Sequence, residues 1–369
     1  MKVERETAGL AFPFTAGVLL AVCSRHVAYD IPGFNPITAM LAISTLMLIH
    51  PSRRTLPPFA IWLLIGMAAL SAGMLSGSTA VHISVGALKS DFCMMAEELG
   101  TMMQESIDRI PFEDRRCNAI AKALVTGERS DIPEDIVQTF RDSGASHILA
   151  LSGLHLGIIY AIINRSLSIF GNYRRLWIPR SAIVIMACGV YTLATGAGPS
   201  IVRAFIFILL AEIGKLTHRH RSTGQLLFSA LIIQLTLSPL SVKSVGFQLS
   251  YAAMAGIAFI LPRLKSLWPG SIYDDRPFTR CVRKIWNACA MSISCQITTA
   301  PLAYIYFRTF PRHFLLTNLI ALPLTGLIIP AILITLALNS LGICPHFIYL
   351  LTETLISALI TALDTIATM

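Results

Sequence analysis

Apolar residues along this chain fall in long blocks divided by short polar stretches. A bilayer span needs roughly 20 mostly apolar residues. Blocks of about that length lie at Gly9–Val27, Phe34–His50, Leu56–Ala80, Ala145–Ile169, Trp177–Thr195, Ser200–Leu216, Gly224–Leu237, Val245–Leu261, Trp286–Phe307, Leu315–Leu341 and Phe347–Thr365. The pattern predicts an all-α polytopic membrane bundle of about eleven transmembrane helices with kinked or broken spans. Leu315–Leu341 contains Pro323 and Pro330, so it reads as one kinked span or two half-spans. The first block, with Lys2 and Arg5 ahead of it, resembles a signal peptide, but the ten blocks after it favour an uncleaved span.

One stretch breaks the pattern. Val81–Gly144 holds twelve acids and seven bases, and its periodicity is helical. Met94, Met95, Leu99, Met102 and Met103 form one apolar stripe, and Ile120, Ala123 and Leu124 begin another. Such helices lie on the membrane surface or pack on the bundle, and a solvated helical cap is the reading favoured over a binding domain. Three consecutive parts result: N-terminal spans over 1–80, an extracytoplasmic helical segment over 81–144, and a channel-like part over 145–369.

Composition agrees with the blocks. Of 369 residues, 54% are apolar and 13% charged, about half the charge of a soluble domain. That balance excludes an ordinary soluble enzyme and a disordered chain. The net charge of +9 is carried mainly by short loops of one side. With the N-terminus in the cytoplasm, cytoplasmic segments hold 17 Lys and Arg, and the short outside loops hold 4. This places the chain in the inner membrane with a cytoplasmic N-terminus.

None of the eight cysteines forms a CxxC, and no Cys–His set has metal-ligand spacing. No metal and no cofactor is expected. Cys93 and Cys117 share the large polar segment, and their pairing stays open. No P-loop is present, so any energy for transport comes from elsewhere.

Five short stretches carry the polar groups. His147-Ile148-Leu149-Ala150-Leu151-Ser152-Gly153-Leu154-His155-Leu156-Gly157 puts two His and a Ser at the entry of a block. There Ser152 and His155 share a helix face, and Gly153 and Gly157 make a GxxxG. Gly198-Pro199-Ser200-Ile201-Val202-Arg203-Ala204 starts a helix at Pro199 and puts Ser200 and Arg203 on one face. Arg203 there must meet water, backbone carbonyls or an anion, or snorkel to the interface. Ser244-Val245-Gly246-Phe247-Gln248-Leu249-Ser250 joins the small residues Gly246 and Ser250 to a large amide, Gln248. Gln296-Ile297-Thr298-Thr299-Ala300-Pro301 and Asn318-Leu319-Ile320-Ala321-Leu322-Pro323 each pair an amide with a helix-bending Pro. Each alone reads as helix–helix glue. Together they suit a bundle that lines an aqueous path. Ser152 and His155 also invite comparison with a serine hydrolase. A Ser and a His three apart on one helix are poorly placed for that chemistry, so no catalytic residue is assigned.

In this order, over about Ala119 to Pro330, the five stretches resemble the competence domain of ComEC-family proteins. The first is similar to that family's H-L-L-A-I-S-G-L-H-V-G, and the third to its S-V-G-F-Q-L-S. The second resembles S-P-S-V-x-R-A, and the last two resemble T-x-P and N-L-x-x-x-P. The resemblance implies a channel that passes single-stranded DNA through the inner membrane during natural transformation. It implies that His147, Ser152, His155, Ser200, Arg203, Gln248, Ser250, Gln296 and Asn318 line or shape the path. Gly153, Gly157, Pro199, Gly246, Pro301 and Pro323 would pack or bend its helices. Tyr191, Tyr251 and Phe247 are candidates for stacking on bases. Full-length members add an OB-type domain and a metallo-β-lactamase-like domain. Val81–Gly144 is too short and helical for the first, and no HxHxDH run signals the second. The expected partners are therefore single-stranded DNA, the lipid bilayer, a separate DNA receptor, a nuclease and a cytoplasmic ATP-driven motor, with homo-oligomers a further option. The other readings are a permease for a small or lipidic solute and an inactive short paralogue with a structural membrane role.

Overall fold

A computed structural model describes residues 2–23, 44, 58–82, 91–169, 177–217, 222–268, 276–308 and 313–369. Apart from Ser44, the expected span Phe34–His50 lies outside them. So do Arg53, Arg54, Arg174, Arg175, Arg219 and Arg221, which weigh in the orientation argument. The described residues are helical and contain no strand.

The first helices are α1 (Lys2–Cys23), α2 (Pro58–His82), α3 (Asp91–Asp108), α4 (Arg115–Thr126) and α5 (Glu134–Asp142). Next come α6 (Ser146–Leu149), α7 (Gly153–Ser168), α8 (Trp177–Ala194), α9 (Pro199–Leu216) and α10 (Thr223–Leu237). A 3₁₀ turn (Pro239–Lys243) leads into α11 (Val245–Ala255), which passes through a π turn (Gly256–Ile260) into α12 (Leu261–Ser266). The chain ends in α13 (Pro277–Phe307), α14 (Phe314–Ser340) and α15 (His346–Ala367).

Among the described residues, six stretches are long and apolar enough to cross a membrane: Phe59–Ser76, Trp177–Ala194, Val245–Ser266, Pro277–Phe307, Phe314–Ser340 and His346–Ala367. The remaining sequence blocks differ for identifiable reasons. Ala145–Ile169 is not one helix. It is the four-residue α6, an extended link and the 16-residue α7, because Ser152 takes the extended backbone of a helix cap. α10 has only 15 residues. α9 has 18 residues but carries Arg203, Glu212 and Lys215. Leu315–Leu341 is a single helix: α14 runs through Pro323 and Pro330, each of which removes one backbone donor.

Two compact units form, and neither follows the three consecutive parts read from the sequence. One joins Met1–Leu88 to Ile213–Tyr251, and the other joins Lys89–Glu212 to Ala252–Met369. In the first, Phe14, Val18, Val22, Leu235, Val242 and Phe247 make a small apolar core. Its tightest feature is the crossing of α1 and α2. A β-carbon on Gly17 would fall 2.1 Å from the Leu70 carbonyl oxygen, and one on Gly73 would fall 2.0 Å from that of Phe14. Only glycine lets the two backbones come so close.

The second unit is built around α4. Cys117 and every residue from Ala119 to Thr126 are buried. They share one core with Ile328, Ile329 and Ile332 of α14 and with Ile356, Leu359 and Leu363 of α15. Glu353 of α15 accepts the backbone N–H groups of Asp114, at 2.8 Å, and Glu113. The charged segment thus packs on the bundle and is no freestanding cap. Lys122 is buried with its ammonium donating to Asp108 (2.7 Å) and Asp131 (2.5 Å). Burial pulls its pKa down, but the two carboxylates outweigh that and hold it above the ordinary lysine value. In return, the Lys122 hydrogen bond keeps the Asp131 carboxyl below the usual range.

Most of the methionine stripe on α3 stays outside the core. Met94, Met95, Leu99 and Met102 are exposed. The packed face is instead Ala96, Gly100, Met103 and Ile107. Gly100 lets α3 sit against α8, where a β-carbon would fall 2.3 Å from the Ala194 carbonyl oxygen. Cys117 is a free thiol facing Ser357, 3.8 Å away, so it forms no disulfide.

Candidate functional site

The polar motif at residues 147–157 forms a helix start. Ser152, at the N-cap of α7, accepts from the Leu154 N–H at 3.2 Å. His155 returns the bond: its Nδ1 accepts from the Ser152 N–H at 3.2 Å and lies 3.0 Å from the Ser152 hydroxyl. This is a capping box with His in the position usually held by Glu or Gln. A ring nitrogen that accepts from a backbone N–H carries no proton, so the neutral ring holds its proton on Nε2. His155 is 1% exposed, and among the described residues that Nε2 has no hydrogen-bond partner.

Arg203 comes to this cap. It is 7% exposed, one turn into α9. A β-carbon on Gly153 would lie 3.4 Å from its Nη2 and 3.5 Å from Ala204 Cβ. The Arg203 guanidinium thus lies in van der Waals reach of Gly153, at the positive end of α7, where a β-carbon would make ordinary contacts. Gly157 does not act with it, since a β-carbon there would meet nothing within 4 Å. The expected GxxxG seam is a single contact.

The turn before Arg203 is tight. Gly196 and Ala197 both have positive φ, and Pro199 opens α9. An alanine in the left-handed region stores about 1 kcal/mol of backbone strain, which fixes where the new helix starts. Ser200 is half-buried in its first turn.

His147, on α6, has Nδ1 3.2 Å from the Gly144 carbonyl oxygen, to which it donates. Its side chain is exposed. Gln296 stands half-buried on α13. Asn318 stands half-buried on the neighbouring α14, its Oδ1 buried without a partner among the described residues. Pro301 and Pro323 are exposed and do not end their helices.

Gly246, Gln248 and Ser250 belong to the other unit. Gln248 donates to the Val242 carbonyl at 3.0 Å, which ties the start of α11 to the preceding turn. Gly246 is exposed. The close packing of this helical stretch occurs at Gly256, where a β-carbon would fall 2.2 Å from the Ser294 carbonyl oxygen. Two of the three aromatics suggested for stacking are core residues. Tyr191 is buried and donates to the Val125 carbonyl at 2.6 Å, and Phe247 is buried against Tyr251. Tyr251 itself donates to Gln234.

Sequence reading missed Glu212 as a site. It is 3% exposed and accepts from the Tyr160 hydroxyl and the Ser181 hydroxyl, each at 2.7 Å. An acid within the apolar run between Arg203 and Lys215 was the available signal.

The model of the family described as "Competence protein" matches residues 124–369. The chain is 26% identical over 214 residues to ComE operon protein 3 of Bacillus subtilis, covering 57% of this chain and 24% of that protein. It is 25% identical over 272 residues to Recombination protein 2 of Haemophilus influenzae, covering 69% and 33%. It is 27% identical over 209 residues to Competence protein ComA of Neisseria gonorrhoeae, covering 55% and 28%. The chain thus matches only a quarter to a third of the length of these relatives. No solved structure is significantly similar. Because that match covers about two thirds of its residues, the chain belongs to the competence-protein family.

Proposed function

We propose that the protein is an inner-membrane channel, with a cytoplasmic N-terminus and about eleven spans, that passes single-stranded DNA inward during natural transformation. Family membership supports DNA uptake as the setting. The observation that carries the reading is Arg203, buried against Gly153 at the head of α7. A buried cation is costly unless it meets polar partners or water, and one guanidinium beside a helix N-terminus suits a passing phosphate. A single cation holds a polyanion weakly enough to release it. The protein works without catalytic residues of its own. A separate receptor, a nuclease and an ATP-driven motor complete the system.

In a strain whose only copy carries Arg203→Ala, transformation falls to the knockout level while the membrane abundance of the protein is unchanged. Arg203→Lys recovers part of it. Wild-type transformation in Arg203→Ala removes Arg203 from the path and overturns the reading.

A further inference from the structure

We infer that α3 and α4 form a re-entrant hairpin, which enters and leaves the bilayer on one side and holds its charged turn in water near the middle of the membrane. α15 fixes the depth of the turn. That helix has 22 residues, about 33 Å, against a hydrocarbon core of about 30 Å, so it has almost no length to spare. Ser357 lies halfway along it, and the Cys117 thiol at the head of α4 is 3.8 Å from the Ser357 hydroxyl. Glu353, one turn nearer the start of α15, accepts the N–H groups of Asp114 and Glu113. A turn at the membrane surface would leave α15 only about 15 Å of helix, half of the core, with which to cross.

α8 fixes where the arms begin. It is a span of 18 residues, about 27 Å, and Gly100 of α3 packs on the carbonyl of Ala194, its last residue. The Val125 carbonyl of α4 accepts from Tyr191, three residues before that end. Both arms thus reach the same end of one span, where hydrocarbon gives way to headgroups. From Gly100 to Asp108 on α3, and from Cys117 to Val125 on α4, each arm measures about 12 Å, close to half the core. Asn118 closes the turn between them by donating to the carbonyls of Ile107 (2.9 Å) and Ile110 (3.1 Å).

The turn is polar and open. Arg109, Glu113, Arg115 and Arg116 are exposed, and Asp114 is half-buried beside Arg116 at 2.9 Å. Such charges cost several kcal/mol each against acyl chains. The backbone from Arg109 to Asp114 is not helical, and at this depth irregular backbone needs protein or water around it. Lipid nevertheless suits the same level on α14. The Thr335 and Thr352 hydroxyls, 2.8 Å apart, align the antiparallel α14 and α15. Counted in one direction from that pair, Ser357 is about 8 Å away and Leu327 about 12 Å. Leu327 is 59% exposed and shares one face of α14 with the exposed Leu316 and Ile334, an apolar stripe along the length of the helix. One level of this unit therefore faces hydrocarbon on α14 and water at the turn. A polar cargo of any kind then meets a dry barrier only half a membrane thick, whether or not that cargo is DNA.

Thiol labelling in lipid nanodiscs tests this, since the reacting species is the thiolate, which forms in water. Glu113→Cys, Arg116→Cys and Leu327→Cys are introduced singly into the full chain and treated with a charged methanethiosulfonate. Mass identification of the labelled peptide separates each new thiol from the native ones. Both turn thiols are expected to label to completion, while Leu327→Cys stays unlabelled until the protein is unfolded in detergent. Labelling at all three positions shows that this level lies outside the hydrocarbon and that the hairpin is an ordinary surface pair, which overturns the inference. Protection of both turn thiols until unfolding shows a dry turn and overturns it equally.

Discussion

The crossing of α1 and α2 and the head of α7 solve the same problem, a close approach of helices in an apolar protein, in opposite ways. At the crossing, Gly17 and Gly73 bring backbone against backbone, and the nearby serines bond backbone carbonyls, Ser71 that of Met67 in its own helix and Ser76 that of Leu235 in α10. Nothing there needs water. At the head of α7, a guanidinium lies beside one glycine, and an imidazole closes the cap with one nitrogen left over. Glycine is required for close packing only at the crossing, whereas the head of α7 brings a charge beside a glycine without needing one. A stripe of small residues is therefore a poor guide to function until its occupant is known.

The sharpest way to break the contrast is to fill the crossing. Gly73→Val drives a side chain into the Phe14 carbonyl, and a loss of about 3 kcal/mol or more is expected. It reads as a collapse of the monodisperse fraction in detergent and a lower melting temperature. A melting temperature equal to wild type would show that α1 and α2 can move apart.

The polar region responds to removal of charge. Lys122→Ala leaves two carboxylates facing each other, and a loss of about 2 kcal/mol is expected, below that of a fully buried pair because both acids are half-exposed. The Asp131 carboxyl is lowered in the folded protein, so its contribution is present above its unfolded value. It is lost as the pH falls through the folded one. Melting curves of wild type and Asp131→Asn should therefore separate at neutral pH and converge in acid. A constant separation would refute the pairing.

The smallest effects distinguish the two glycines and the cap. Ser152→Ala removes an N-cap acceptor and should cost about 1 kcal/mol. Gly157→Ala meets open space inside a helix and should stabilise by about 0.5 kcal/mol. Destabilisation by Gly157→Ala in a melting scan would restore the GxxxG seam that the structure lacks.

Much of this was legible in the sequence. Hydrophobic blocks gave the helical bundle, and the order of five motifs gave the family. The cap at Ser152 was less visible because Ser-x-x-His is not the usual box, so a side-chain pair on one face looked equally good. The fate of residues 81–144 was hidden for a different reason. Acids and bases on one face signal water, but they do not say whether that water lies outside the membrane or within it. On α3, periodicity located an apolar stripe of which Met103 alone packs on the core, beside Ala96, Gly100 and Ile107, which the pattern did not single out.

Glu212 has a mechanical consequence. One carboxylate takes a hydroxyl hydrogen from α7 and another from α8 while belonging to α9. Sliding any of the three past the others strands an acceptor in a medium with no replacement donor. One side chain thus ties three helices into a strut.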